Sequence, residues 1–460
     1  MRYIRTFIVV LTATAALAGC TSDSYPGLEY DPVMSPSLVN NESGRSTGWG
    51  LPVTVSVSKN SFSFASVITR GSGPFEATDV SNDLDRLDNT IFYLYAFRDN
   101  ADLQGPLTAN PSFEQRSKND NEDCLLDGND YTFGVPAKLH AAERLLKTKR
   151  ANLSDTTYYY GSRNQDTGYN FFAYYIDGFD AAQETAHRDA TGVYYDLTLD
   201  GTRDVMVGHS LKLNRQTLED YYPNIVESMT QTQRDHVLNI GNYSAYSAYF
   251  GIHPILHIEH LLTRLAFWAY PADESANFVE FTNIEIEARY AGRLYVVKPD
   301  VSQLGFTFND ARRSMKLKER QPGDDEKVLP LQDLTPTNYR VQWTAGMDSD
   351  KWLNNKAGAT HIGCDMLLPP DATYRMKLEY RQYEPGTGLY RKVSAEYALK
   401  APELENSRDP KTGEFTYLPN NTYTINIGVY GGRRPEVGVG SLEPWNDGGE
   451  IIIPSDPSEE

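Results

Sequence analysis

Cysteine, net positive charge and long apolar runs are all scarce in this chain of 460 residues. The three cysteines, Cys20, Cys124 and Cys364, form no Cys-x-x-Cys pair and no Cys/His spacing of a zinc site. That excludes a disulfide-dense scaffold and a zinc-organised domain. Cys124 and Cys364 lie far apart in the chain, and two buried or free thiols are the simpler reading than a bridge. Lys and Arg number 43 against 62 Asp and Glu, a net charge of −19. This argues against nucleic acid as a partner, because phosphate binding needs clustered cations. It also disfavours electrostatic adhesion to anionic lipid. No apolar run approaches the roughly 18 residues of a membrane-crossing helix. P-loop and dinucleotide fingerprints are missing, and so is any internal repeat of fixed period.

What the chain does have is aromatic strand. Tyrosine alone numbers 31, and tyrosine favours strands and half-exposed sheet faces. The length exceeds one ordinary core, so two domains are expected. At the N-terminus Arg2 and Arg5 precede an apolar stretch over Ile8–Ala16, and Leu17-Ala18-Gly19-Cys20 follows. This looks like a bacterial lipoprotein signal: cleavage before Cys20, lipidation of its thiol and new amino group, and attachment by lipid rather than by a helix. The segment 20–50, rich in Ser, Asn, Pro and Gly, reads as a flexible tether.

The first domain is expected over 51–252. Val53, Val55 and Val57 alternate with polar residues, and Phe62 and Phe64 continue the alternation. Thr69-Arg70-Gly71 then leaves regular structure through Gly and Pro. Ile91–Phe97 is the most β-prone run of this half. Tyr131–Pro136 reads as a short strand ended by proline, and Lys138–Lys149 as one amphipathic helix with Leu139, Ala142, Leu145 and Leu146 on one face. Tyr169–Ile176 is an aromatic strand. Val193–Leu199 and Val205–Gly208 read as a hairpin across Asp200-Gly201. Leu211–Tyr249 is polar and irregular, with helix expected near Glu227–Val237. The second domain, 253–460, opens with the apolar run Leu256–Tyr270. Strands are expected at Phe278–Ala288, Arg293–Val297, Gly305–Phe308 and Lys327–Leu331. Tyr374–Tyr380 and Leu389–Leu399 form a hairpin, and Thr422–Tyr430 is a clear alternating strand. Many short strands without a βα rhythm indicate an all-β fold of β-sandwiches with minor helix.

Residues that could carry chemistry are few. His253, His257 and His260 form the only histidine cluster. The spacing of His253 and His257 suits a zinc site on a helix, but Pro254 interrupts it, so structural histidines flanking a core strand are the better reading. Asp79, Asp83, Asp85 and Asp88 lack the Gly and terminal Glu of an EF-hand and read as a solvated turn. Tyr158–Tyr160 and Tyr169–Tyr175 offer a sugar-stacking surface on paper, with sheet packing the better reading. Gly44-Arg45-Ser46-Thr47-Gly48 has the letters of a nucleophile elbow but sits in the tether. No carboxylate pair stands out for glycosidase chemistry. The chain therefore reads as a non-enzyme with no cofactor and no metal.

The order of features resembles the fimbrillin family, the subunits of type V pili with their anchor and tip relatives. The matching pieces are the Cys20 lipobox, the Val53–Val57 strand, the Thr69-Arg70 step and the Ile91–Phe97 strand. Further on come His260–Phe267 and the tail from Asn421 to Gly431, leading to Val437 and Glu443-Pro444-Trp445-Asn446-Asp447-Gly448. The resemblance implies two tandem transthyretin-like β-sandwich domains. It also implies an outer-membrane lipoprotein precursor, cleavage by an Arg-specific protease after Arg70, and loss of the strand Val53–Phe64. A strand of a neighbouring fimbrial subunit then fills the groove, giving a cell-surface fimbrium that supports adhesion. Arg45 is a second cleavage candidate that would spare the strand. Trp445 and Ile451–Ile453 are candidates for the donated strand. An anchor or tip subunit of the same fold is one alternative; a glycan-binding surface lipoprotein is another, of a different class.

Overall fold

The computed structural model describes residues 51–58, 90–99, 124–126, 133–140, 144–149, 156–160, 165–189, 192–276, 278–321, 324–331, 339–343, 359–384, 386–404, 407–409, 412–430 and 435–444. Strands dominate, in the all-β class expected. The N-terminal half supplies β1 (Val55–Val57), β2 (Ile91–Arg98), β3 (Val135–His140), β4 (Leu145–Thr148), β5 (Tyr169–Ile176), β6 (His187–Asp189), β7 (Gly192–Thr198), β8 (Val205–Ser210) and β9 (Ile255–His260). Seven of these close a barrel in the order β1-β4-β3-β2-β5-β8-β9. Four short helices lie between β8 and β9: α1 (Arg215–Tyr221), α2 (Pro223–Ser228), α3 (Gln231–Ile240) and α4 (Ala245–Tyr249).

The C-terminal half supplies β10 (Thr263–Pro271), β11 (Val279–Arg289), β12 (Ala291–Val297), β13 (Gly305–Phe308), β14 (Arg312–Lys316), β15 (Lys318–Gln321), β16 (Asp324–Pro330), β17 (Arg340–Val341), β18 (Thr360–His361) and β19 (Met366–Leu368). β20 (Thr373–Glu384), β21 (Leu389–Lys400), β22 (Asn421–Val429) and β23 (Glu436–Pro444) complete it. One sheet runs β18-β10-β22-β23, a second β14-β11-β20-β21. Leu265, Phe267, Ile425 and Ile427 of the first share one core with Phe281, Ile286, Tyr374 and Leu378 of the second. That is a sandwich, with alternate residues of each strand turned inward.

The aromatic strands β2 and β5 are buried on both faces. Phe92, Leu94 and Ala96 point into the barrel core with Phe171, Ala173 and Tyr175. Tyr95 and Phe97 point outward with Phe172, Tyr174 and Ile176. There they meet Val193, Tyr195, Leu294 and Val296, from a second sheet ordered β13-β12-β7-β6. Double burial explains why these strands read as nearly continuous hydrophobic runs. The hydroxyls find partners inside this layer: Tyr174 Oη lies 2.6 Å from Tyr195 Oη and donates to the Phe133 carbonyl at 2.6 Å.

Three expectations are corrected. Lys138–Lys149 is not a helix but the antiparallel pair β3/β4, with Leu139 opposite Leu146. Both leucines face the barrel core, and pairing of β3 with β2 outweighs the local helical spacing. Pro136 does not end its strand: it sits within β3 opposite Tyr93, and its carbonyl accepts from Lys149 N at 2.7 Å. Asp200-Gly201 is not a hairpin turn but a corner between sheets, since β7 pairs with β12 and β8 with β5. Asp200 Oδ1 accepts from Thr202 N and Oγ1, at 3.0 and 2.7 Å, and Oδ2 accepts from Lys318 Nζ at 2.7 Å. Those bonds fix the corner.

Candidate functional site

The barrel is closed by its shortest strand. β1 pairs antiparallel with β4 (Val55 opposite Leu146) and parallel with β9 (Ser56 opposite Ile255, Val57 opposite Leu256). Val53, Val55 and Val57 are buried in the barrel core, as their alternation predicts. The backbone is tied on both sides. Ser56 N donates to Pro254 O and Ser58 N to Leu256 O, each at 2.8 Å. Val57 N donates to Arg144 O at 2.9 Å, and Val53 N to Tyr158 O at 2.7 Å.

Side chains fasten the end of this strand. Arg144, between β3 and β4, adopts a left-handed backbone (φ 54°), a conformation that costs a non-glycine residue. Its carbonyl takes the Val57 amide, and its guanidinium donates to Ser58 O at 3.0 Å. Ser58 is buried, and its Oγ lies 3.3 Å from His257 Nδ1. His257 Nε2 lies 2.9 Å from Glu259 Oε1. That hydrogen bond holds the Glu259 carboxyl below its ordinary range. His209 faces His257 across β8 and β9; burial first, and the neighbouring His257 second, lower its pKa. Close approach of these two strands depends on Gly208, where a Cβ would stand 2.5 Å from His257 O.

The three clustered histidines do not converge. His253 Nδ1 pairs with Gly251 O at 3.1 Å, and burial lowers its pKa. His257 serves the β1 end. His260 is buried, with Nδ1 2.9 Å from Asp204 Oδ2. Among the described residues no group of three or more His, Cys, Asp or Glu side chains could hold a metal ion. Next to His260, the buried Asp177 accepts from Tyr175 Oη at 3.1 Å, and its amide donates to Asp204 O at 2.8 Å. Burial, and then the Asp204 charge, push its carboxyl up to about 7.

The remaining candidates fall out as follows. Tyr160, Tyr169, Tyr174 and Tyr175 are buried, so these segments pack rather than present a stacking surface. Cys124 and Cys364 are both buried and not joined by a disulfide. Cys124 lies in the core between barrel and four-stranded sheet, and Cys364 Sγ is 3.4 Å from Glu319 Oε1. Cys20, Gly44–Gly48 with Arg45, Arg70, Asp79, Asp83, Asp85, Asp88, Trp445 and Ile451–Ile453 lie outside the described residues. Sequence reasoning missed Arg144 and Ser58. A positive φ at arginine leaves no sequence signal, and Ser58 is an ordinary strand-end serine.

No family model matches the chain, and no curated protein does. Among solved structures it is similar to a candidate cell adhesion protein from Bacteroides uniformis, at 11% identity and TM-score 0.38, covering 87% of this chain and 100% of that one. A candidate cell adhesion protein from Bacteroides eggerthii follows at 9% identity and TM-score 0.37, covering 86% and 96%. The fimbrial anchor protein Mfa2 from Porphyromonas gingivalis matches at 12% identity and TM-score 0.28, covering 87% and 99%.

Proposed function

We propose that this chain is a structural subunit of a cell-surface fimbria that supports adhesion, exported as an outer-membrane lipoprotein through Cys20 and assembled by strand exchange. In this reading an Arg-specific protease cuts after Arg70, the segment carrying β1 leaves, and a strand of a neighbouring subunit takes its place. The observation that supports it is the seating of β1. It is the short closing strand of the barrel, it comes from the N-terminal side of Arg70, and its neighbours β4 and β9 make no pair with each other. Its departure would leave the carbonyls of Arg144, Tyr158, Pro254 and Leu256 without their present donors and would uncover the barrel's apolar lining. A strand with inward apolar residues at alternate positions restores both. The division into 51–252 and 253–460 belongs to the same proposal, with β9 and β12 crossing that line to pair with N-terminal strands.

The test is limited digestion of the purified precursor with an Arg-specific protease, followed by mass spectrometry and denaturant-resistant electrophoresis. A fragment ending at Arg70 and a ladder of polymers are expected, and Arg70→Ala abolishes both. Polymerisation of Arg70→Ala at the normal rate sinks the proposal. An uncut precursor that keeps its lipid and β1 would instead be a fimbrial anchor.

A further inference from the structure

β21 is twelve residues long and, among the described residues, its backbone pairs only with β20, while the Tyr397 hydroxyl donates to the Pro435 carbonyl at 2.7 Å. An open edge of that length invites pairing unless its side chains forbid it. Here they do not. Leu399 is buried in the sandwich core, and Val393 and Tyr397 pack against it. Leu389, on the same face of the strand, is 69% exposed beyond the end of that core, and Tyr390 beside it is 41% exposed. On the solvent face Lys392 and Glu396 flank Ser394 symmetrically.

We propose that β21 is a self-association surface on which two copies of this chain pair antiparallel about a two-fold axis at Ser394. Each Lys392 then stands opposite the Glu396 of the partner subunit, and this favourable pair occurs twice. On the inner face each Leu389 meets the Leu399 of the partner subunit, so the exposed leucine extends the other copy's core. Arg391 meets the Tyr397 of the partner subunit, a cation over a ring. Shifting the register by two residues removes the lysine–glutamate pair. Shifting it by four sets Lys392 against Lys392, or Glu396 against Glu396. Only the Ser394 register uses both the charges and the exposed leucine. This surface is separate from the β1 seam and needs no proteolysis.

The experiment is sedimentation equilibrium on the purified, uncut full chain. A concentration-dependent dimer is expected. Lys392→Glu and Glu396→Lys, both at exposed positions and each shown to be folded by its urea midpoint, should each raise its dissociation constant by about tenfold, two repulsive contacts replacing two attractive ones. An equimolar mixture of the two variants should recover a heterodimer, since the swapped charges again face each other. Ser394→Cys should cross-link under mild oxidation much faster than Ala398→Cys. A monomer throughout, a dimer indifferent to both charge reversals, or a dimer that forms only after cleavage would overturn the assignment. In the last case the contact belongs to the β1 seam.

Discussion

β1 gives three residues to a barrel and is hydrogen-bonded on both sides, whereas β21 gives twelve to an open sheet and is bonded on one. The long strand is held by length, through an unbroken ladder from Thr373–Lys400 to Glu384–Leu389. The short strand is held by its neighbours: two flanking ladders, three buried valines and the Arg144 and His257 contacts at its end. Retention thus depends on how many sides of a strand are satisfied, and a strand satisfied on both sides leaves the larger wound when it goes.

The largest expected effect breaks this comparison at its strongest point. Val55→Asp puts an unpaired charge at a fully buried position and should lower unfolding free energy by about 3–5 kcal/mol. Val393→Asp, at a half-buried position of β21, should cost only about 1 kcal/mol. Urea midpoints of both variants check the contrast, and equal shifts would refute it.

Barrel and sandwich also treat buried carboxylates in opposite ways. Asp177, beside the barrel, titrates at about 7 because burial and the nearby Asp204 disfavour its charge. Its contribution to stability is therefore full below about pH 4 and lost as pH rises towards 7, a swing on the order of 3 kcal/mol. Asp177→Asn should flatten that fall. Glu280, covered on the outer face of β11 by Arg340 and Arg381, is also pushed up by burial, but hydrogen bonds from these two arginines outweigh this and leave its pKa lowered. Its contribution is present above the ordinary glutamate pKa and disappears on acidification, so Glu280→Gln should be destabilised at neutral pH and near parity in acid. Thermal midpoints across pH 3–8 for both variants read the two signs.

The smallest effect sharpens the account of the β1 end. Arg144→Ala removes the bond to the Ser58 carbonyl, worth about 1 kcal/mol. Amide exchange at Val57 and Ser58 should quicken about fivefold, with β21 amides unchanged.

Much of this was legible in the sequence wherever one strand face is buried and the other wet. Gly305–Phe308 and the β20/β21 hairpin announce themselves by alternation, and Val53–Val57 declares which side faces the core. Two kinds of feature were hidden. Leu139 and Leu146 satisfy helical and hairpin spacing alike, and only their partners across β2 and β3 decide. The corner at Asp200-Gly201 carries a turn signal but no record of which sheets it joins. The helices between β8 and β9 are only partly legible. α3 opens with a full capping box, Thr230 with Gln233, and that pattern was present in the letters. Of the candidate site, the valines were legible. The Arg144 clamp was not, because it exists only when β4, β9 and β1 come together.

One consequence of the barrel's closure concerns time. Ser58 and His257 are 199 positions apart, and between them run all the other barrel strands, the four helices and two strands of a second sheet. A contact so distant in sequence closes late, after the costly loop has been drawn together by nearer pairings. A chain emerging N-terminus first therefore carries its valine-rich strand with β4 as its one partner, and the other side open, until β9 has followed it out. The last joint to form is the one at which the proposed assembly reopens.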